Sequence, residues 1–296
     1  MESIEKSTQI TYPQGKTEGE GSVLRAESLP EDKDKIYIIT DETPFHPVDH
    51  SWPDQPADKG EIIIKGEKFE VEDVITAAKK KNSGKIYLGD DIPVRRGKDG
   101  WAFLVAHVIQ KPDDLTTSEL VGKKAKLEVD EDYRTKLNAS HTSCHLMALA
   151  LNKATADLWD KNVDTDSLGN PDLDKVAIEE SRITSEKAED RYKIGKSVRK
   201  KGFETEKFFD KIDEIESEMN KQVSERTSSE AEVEIEVPSH NLDSFRKWKC
   251  NLADEEAVIP CGGTHLDLLE QLNDVEISIE VSEEKPEITI YTTPRI

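Results

Sequence analysis

Short runs of β-branched and aromatic residues recur along the first half of the chain. They are KIYIIT (35–40), GEIIIKG (60–66), KIYLG (85–89), WAFLVAHVIQK (101–111) and KAKLEVD (124–130). Clusters of Gly, Pro, Asp and Lys separate these runs, as turns separate strands. The pattern predicts a small antiparallel barrel or sandwich over residues 22–130, and we favour an N-terminal β-barrel domain.

Helical spacing replaces this pattern from residue 131 onward. One side of the segment 130–159 collects Leu137, His141, Cys144, His145, Ala148, Leu149 and Leu151. Helices are also expected over 172–198 and over 202–226, and strands return at 230–238, 275–282 and 287–293. The sequence therefore predicts an α+β fold, with a domain over residues 131–296 whose helices pack on an antiparallel sheet.

Composition and charge narrow the classes of function. The 296 residues are 34% hydrophobic, which allows two domains, and they carry a formal net charge of −22. That charge argues against DNA binding, because the overall field repels phosphate, so any RNA contact needs a local basic patch. Three cysteines, no long apolar run and no signal-peptide start predict a cytoplasmic protein without membrane contact. Residues 1–21 are expected to form a flexible arm.

Two short motifs carry ligands that suit a metal ion. His141 and His145 are four residues apart, so on a helix their side chains lie one turn apart on one face. Alone, the pair is equally compatible with two ordinary histidines on a semi-polar face. In PCGGTHL (260–266), Cys261 and His265 flank a double glycine that permits a tight turn. Three imidazoles and one thiolate form a tetrahedral zinc set, which predicts one Zn²⁺ per chain.

Together these motifs resemble the editing domain of alanyl-tRNA synthetase and its free-standing relatives, the AlaX trans-editing proteins. LEVDEDYR (127–134) resembles the family's lead-in, and HTSCHLM (141–147) resembles its HxxxH helix. TPFHPVDHSWPDQPADKG (43–60) resembles a further family stretch, matching it at Thr43, Phe45, Pro47, Gln55, Pro56, Asp58 and Gly60. The family's glycine-rich turn is replaced within residues 46–54. There His46, Asp49 and His50 could face the site, although a structural turn is the favoured interpretation.

The resemblance implies zinc-dependent hydrolysis of alanine tRNA, tRNA(Ala), mischarged with serine or glycine. The reaction would proceed in trans, on tRNA that is free or handed over by alanyl-tRNA synthetase. Thr142 and Thr264, beside the ligands, are the candidate catalytic hydroxyls, and for Thr264 a plain loop hydroxyl is an equal alternative. Four protein ligands would close a tetrahedral site, so either His265 or His145 would have to yield, or the coordination would have to expand.

RNA binding requires a cationic surface, and one segment supplies it. Residues 191–201 contain six basic side chains and no acid: Arg191, Lys193, Lys196, Arg199, Lys200 and Lys201. They could contact phosphates, while Tyr192 and Phe203 could stack on unpaired bases. The alternative is a solvated helix face paired with the acidic run 185–190. Arg95, Arg96 and Lys98 form a second, weaker candidate patch.

Two other functions fit the same motifs. One is a zinc hydrolase that acts on a different ester or amide, which could be a small molecule. The replaced turn at residues 46–54 and the acidic surface favour this function. The other is a non-catalytic binding module stabilised by zinc, which the closed ligand set favours. Cys144 is expected to be a small buried hydrophobe, and Cys250 a structural residue.

Overall fold

The computed structural model describes residues 4–113, 115–252, 255–283 and 286–296. The chain divides into two compact units. Unit 1 comprises Met1–Arg134, Val237–Arg246 and Gly262–Thr264, and unit 2 comprises Thr135–Glu236, Lys247–Cys261 and His265–Ile296. The sequence predicts a division between residues 130 and 131. The structure instead returns two later segments of the chain to unit 1.

Unit 1 is built from strands within the described residues. They are β1 (Gln9–Ile10), β2 (Glu18–Ser28), β3 (Lys35–Thr40), β4 (Glu42–Thr43), β5 (Gly60–Ile64), β6 (Glu67–Val71), β7 (Asp73–Lys80), β8 (Ile86–Leu88), β9 (Trp101–Gln110) and β10 (Lys124–Val129). Short 3₁₀ helices lie at Tyr12–Gln14, Gly89–Asp91 and Thr117–Glu119. Strands β1 and β4 pair in parallel.

The other eight strands form one antiparallel sheet in the order β6-β5-β10-β2-β3-β9-β7-β8. Strand β2 pairs with β10 through residues 18–22 and with β3 through residues 23–28, and its register shifts between Val23 and Arg25. In the described part of the chain β6 and β8 are edge strands. The predicted closed barrel is therefore wrong, because closure would require hydrogen bonds between these two edges.

The described part of the predicted arm, residues 4–21, belongs to the packed structure of unit 1. Ile10 and Tyr12 are buried in its core, and the Thr8 amide donates to the carbonyl of Phe103. This difference from the expected flexible arm has a simple cause. Isolated apolar residues in a polar segment supply the few contacts that fix a short strand, although they form no periodic pattern of their own.

Unit 2 combines helices with antiparallel sheets. The helices are α1 (Glu131–Ala154), whose first four residues belong to unit 1, α2 (Leu173–Ala177), α3 (Lys196–Lys200), α4 (Thr205–Asp210) and α5 (Ile212–Thr227). Short 3₁₀ turns lie at Ala156–Leu158 and Leu269–Gln271. The strands are β11 (Ile178–Ile183), β12 (Ala188–Lys193), β13 (Val233–Glu236), β14 (Lys247–Leu252), β15 (Glu255–Pro260), β16 (Asp274–Val281) and β17 (Glu287–Arg295). Over the described residues they form two sheets, ordered β11-β12-β17-β16 and β13-β14-β15. The α+β class with antiparallel sheets is thereby confirmed.

Two predicted helices of unit 2 differ in the structure. The segment 172–198 forms α2 followed by the β11–β12 hairpin, because pairing of β12 with β17 outweighs the local helical preference of its Glu and Lys residues. The segment 202–226 forms α4 and α5, which are separated at Lys211. Across the described residues, none of the helices has the length and apolar composition needed to cross a membrane.

Candidate metal centre

Helix α1 positions the first pair of ligands. Asp130 caps it by accepting a hydrogen bond from the Tyr133 amide (3.0 Å), and Glu131 and Asp132 in its first turn complement the positive end of the helix dipole. The helix runs without a break to Ala154, so His141 and His145 lie on adjacent turns with their ring centroids 4.9 Å apart. The predicted placement of this pair on one helix face is therefore observed.

Strand β15 and the turn that follows it supply the second pair. Cys261 comes directly after β15, and its Sγ lies 3.5 Å from His141 Nε2 and 3.2 Å from His265 Nε2. The ligand atoms of His141, His145, Cys261 and His265 all lie within 4.8 Å of one another. Two motifs that are distant in sequence thus meet as a candidate metal centre within unit 2.

The spacing between donor atoms suits a tetrahedral ion. Zn–S bonds of about 2.3 Å and Zn–N bonds of about 2.0–2.1 Å place sulfur and nitrogen about 3.5 Å apart at the tetrahedral angle. The two Cys261–histidine distances match that separation. A mixed nitrogen and sulfur donor set is typical of zinc, whereas calcium and magnesium prefer oxygen ligands. The geometry supports a metal site, and the donor chemistry favours zinc.

His145 provides an independent test of the fit. Its Nε2 is buried and has no hydrogen-bond partner among the described residues, although the residue as a whole is only half-buried. Burial lowers the pKa of His145 to about 3, so the ring is neutral and one of its two nitrogens keeps a lone pair that can bind a metal ion. A buried nitrogen without a partner is costly. A cation shared with the other three ligands would satisfy this atom.

Thr142 is buried and holds one of the ligands. Its Oγ1 accepts a hydrogen bond from the Leu266 amide (3.1 Å) and lies 3.3 Å from His265 Nδ1. If His265 uses Nε2 as a ligand, its Nδ1 carries the proton and donates to Thr142. The contacts of Thr142 are those of a positioning residue, whereas the sequence analysis predicts a catalytic hydroxyl.

Thr264 belongs to unit 1 and is clamped by one side chain. Gln55 Nε2 donates to Thr264 Oγ1 (2.9 Å), and the Thr264 amide donates to Gln55 Oε1 (3.0 Å). Both residues are buried. Gln55 lies in the stretch 43–60 that the sequence analysis singles out. The paired contact fixes the backbone of Thr264 within unit 1.

Cys144 and Cys250 have different environments. The Cys144 thiol is half-buried and donates to the Asp190 carboxylate, with Sγ 3.4 Å from Oδ2, so the expectation of a plain buried hydrophobe needs correction. Cys250 packs in the core of unit 2, where burial raises the pKa of its thiol to about 11. Asp190 was not among the predicted site residues. In the structure Asp190 shares the buried face of β12 with Ala188 and Tyr192, and no spacing in the sequence marks it as a site residue.

The rewritten turn of unit 1 is held by its own side chains. Asp49 Oδ1 accepts from the Ser51 amide (2.7 Å) and from the Trp52 amide (3.3 Å), and the Asp49 carboxylate also pairs with Arg96. His46 is buried, and burial together with Arg134 lowers its pKa to about 3. These contacts support a structural turn over residues 46–54, as the sequence analysis favours.

The six predicted RNA-binding residues lie on two different elements. On β12, Arg191 pairs with Glu180 (3.0 Å), and Lys193 pairs with Glu179 (3.8 Å). Four others lie on or directly after α3, are exposed and form no ion pair within the described chain: Lys196, Arg199, Lys200 and Lys201. Tyr192 and Phe203 are buried, so the predicted stacking on unpaired bases is wrong.

Comparison with known proteins adds no assignment. No family model matches the chain, and no curated protein matches it. What is established is a group of three histidines and one cysteine that could hold a metal ion. The functional argument therefore rests on the geometry of these four residues.

Proposed function

We propose that this protein is a zinc-dependent hydrolase that removes serine or glycine from mischarged tRNA(Ala) in trans. The observation that carries the proposal is the convergence of His141, His145, Cys261 and His265 on one point. These residues belong to the two motifs that resemble the AlaX proteins and the synthetase editing domain. The resemblance suggests the substrate class. The converging donor atoms indicate that both motifs would serve to bind one metal ion.

The four residues would hold the ion as neutral imidazoles and a thiolate. When bound, zinc would activate water and polarise the ester carbonyl. Thr142 keeps the His265 ring oriented through its Nδ1. Because the buried His145 Nε2 has no other partner among the described residues, we propose that all four ligands would stay bound and that the coordination would expand to five to admit water. An aminoacyl ester is labile, so positioning and modest activation suffice.

Contact with tRNA would come from the exposed cations at α3. Lys196, Arg199, Lys200 and Lys201 have no carboxylate partner in the described structure and can bind phosphates. Arg191 and Lys193 already pair with glutamates, so they would contribute less. Alanyl-tRNA synthetase, as a donor of mischarged tRNA, and a cytoplasmic location remain part of the proposal.

Two alternatives each have an observation in their favour. Four converging protein ligands are typical of closed structural zinc sites, which favours a non-catalytic module stabilised by zinc. The rewritten turn at residues 46–54 favours the same chemistry on a different ester or amide. The two alternatives and the main proposal predict different results in one assay.

The assay measures serine release from Ser-tRNA(Ala) by the zinc-loaded protein, by Cys261→Ala and by Cys250→Ala. We expect hydrolysis by the wild type, a loss of about a hundredfold or more in Cys261→Ala, and near-wild-type activity in the control, which lacks a thiol outside the cluster. Turnover of small aminoacyl esters without turnover of charged tRNA would favour the different substrate. A folded, zinc-loaded protein inactive on every ester would contradict hydrolysis and favour the structural module.

A further inference from the structure

Strand β12 turns a buried carboxylate toward helix α1. Ala188, Asp190 and Tyr192 are buried and therefore share one face of the strand. Along this face, the Tyr192 hydroxyl lies 3.9 Å from Met147 Sδ, and Asp190 Oδ2 lies 3.4 Å from Cys144 Sγ. The strand thus follows the helix, and Asp190 lies beside the turn that contains Cys144.

His141 occupies the neighbouring position on that helix. It precedes Cys144 by three residues, and side chains at this spacing are neighbours on a helix surface. The ring is 1% exposed, and its Nε2 points to the ligand cluster, 3.5 Å from Cys261 Sγ. When Nε2 is the ligand atom, Nδ1 must carry the proton of the neutral ring. A buried N–H requires an acceptor.

Asp190 is a buried carboxylate, which is the kind of acceptor that a strong donor satisfies best. Its exposed fraction is 1%, and burying a carboxylate is costly unless it is paired and well hydrogen-bonded. The S–H group of Cys144 is only a weak donor. An imidazole N–H on a ring that binds a cation is a strong one, since the cation polarises the ring.

We propose, on the basis of the metal centre described above, that Asp190 accepts the Nδ1 proton of His141 and positions this ligand. Asp190 would then orient the His141 ring through its Nδ1, as Thr142 orients the His265 ring through its Nδ1. Such a carboxylate fixes the tautomer and orientation of a ligating histidine and increases its basicity. The charges also balance, because a divalent ion, the Cys261 thiolate and the Asp190 carboxylate sum to zero in a largely buried site.

Zinc affinity is the first test, measured by competition with a chromophoric chelator. We expect Asp190→Asn, which removes the charge but keeps the shape, to weaken zinc binding about 10–100-fold. Cys144→Ala, which removes the thiol that donates to Asp190, should change the affinity less than about threefold. Equal affinities in wild type and Asp190→Asn would overturn the inference while leaving the metal centre intact. A wild type that binds no zinc would overturn both.

A second measurement needs no variant and so does not depend on mutant folding. Long-range ¹H–¹⁵N spectra of the zinc-loaded, ¹⁵N-histidine-labelled protein report which ring nitrogen of His141 carries a proton. We expect a metal-bound Nε2 and a protonated Nδ1 whose proton resonates downfield, as in a hydrogen bond to a carboxylate. A zinc-bound Nδ1, or an Nδ1 proton in rapid exchange with water, would overturn the proposal.

Discussion

At the scale of single residues, the sequence predicts ligands better than it predicts what supports them. His141, His145, Cys261 and His265 follow from two local spacings, and the structure brings all four together. Asp190 does not follow from any spacing, because its contact with Cys144 depends on the pairing of a strand with a distant part of the chain. The roles of Thr142 and Gln55 likewise emerge only from their contacts.

His107 gives a residue-scale prediction for pH. Its Nδ1 donates to the Ile38 carbonyl (2.9 Å), and in the neutral ring its Nε2 accepts from the Thr43 hydroxyl (2.9 Å). Burial lowers the pKa of His107 to about 4, below the unfolded value of about 6.5. The stability that folding gains from the neutral ring is fully present above pH 6.5. It is lost as the pH falls toward 4, and the loss at pH 5 is about 2 kcal/mol.

Urea denaturation at pH 6.5 and pH 5 of wild type and His107→Gln measures this effect. The free energy of unfolding should fall by about 1.5 kcal/mol more in the wild type than in the variant, which has no titrating ring. His46, with its pKa near 3, titrates in both proteins and cancels from the comparison. Equal decreases in the two proteins would show that His107 is not a buried neutral histidine.

At the scale of elements, strands with dense β-branched runs are predictable and strands defined by pairing are not. KIYIIT coincides with β3, and WAFLVAHVIQK with β9 to within one residue. The β11–β12 hairpin carries many helix-forming Glu and Lys residues, so local propensity favours the wrong element. Barrel closure also lies beyond sequence pattern, because it depends on whether two distant edge strands meet.

Gly60 makes an element-scale prediction for the pairing of β5 with β10. It has a φ of +154°, and a Cβ added there would lie 2.1 Å from the carbonyl oxygen of Glu128. Gly60→Ala should therefore destabilise unit 1 by at least about 2 kcal/mol, since backbone atoms must move apart. Gly84→Ala is the matched control, because its Cβ would meet nothing within 4 Å.

Chemical denaturation of the two glycine variants checks this expectation. The control should stay within about 0.5 kcal/mol of the wild type. A Gly60→Ala protein as stable as the control would mean that β5 and β10 do not approach each other as described.

At the scale of the whole molecule, an acidic chain folds into two units with separate apolar cores. The formal net charge of −22 leaves few places where an anionic partner could bind. The exposed cations at α3 form one such place. Composition alone predicts this restriction but does not locate the patch, because ion pairs decide which of the six basic residues remain available.

One metal ion per chain, held by Cys261 with the three histidines, is the central claim. The visible absorption spectrum of the cobalt-substituted protein tests it most directly, because cobalt(II) occupies zinc sites and reports both geometry and thiolate ligation. We predict saturation at one cobalt per chain, intense tetrahedral bands and a sulfur-to-cobalt charge-transfer band that disappears in Cys261→Ser and persists in Cys250→Ser. A weak octahedral spectrum, or a charge-transfer band unaffected by Cys261→Ser, would contradict the account.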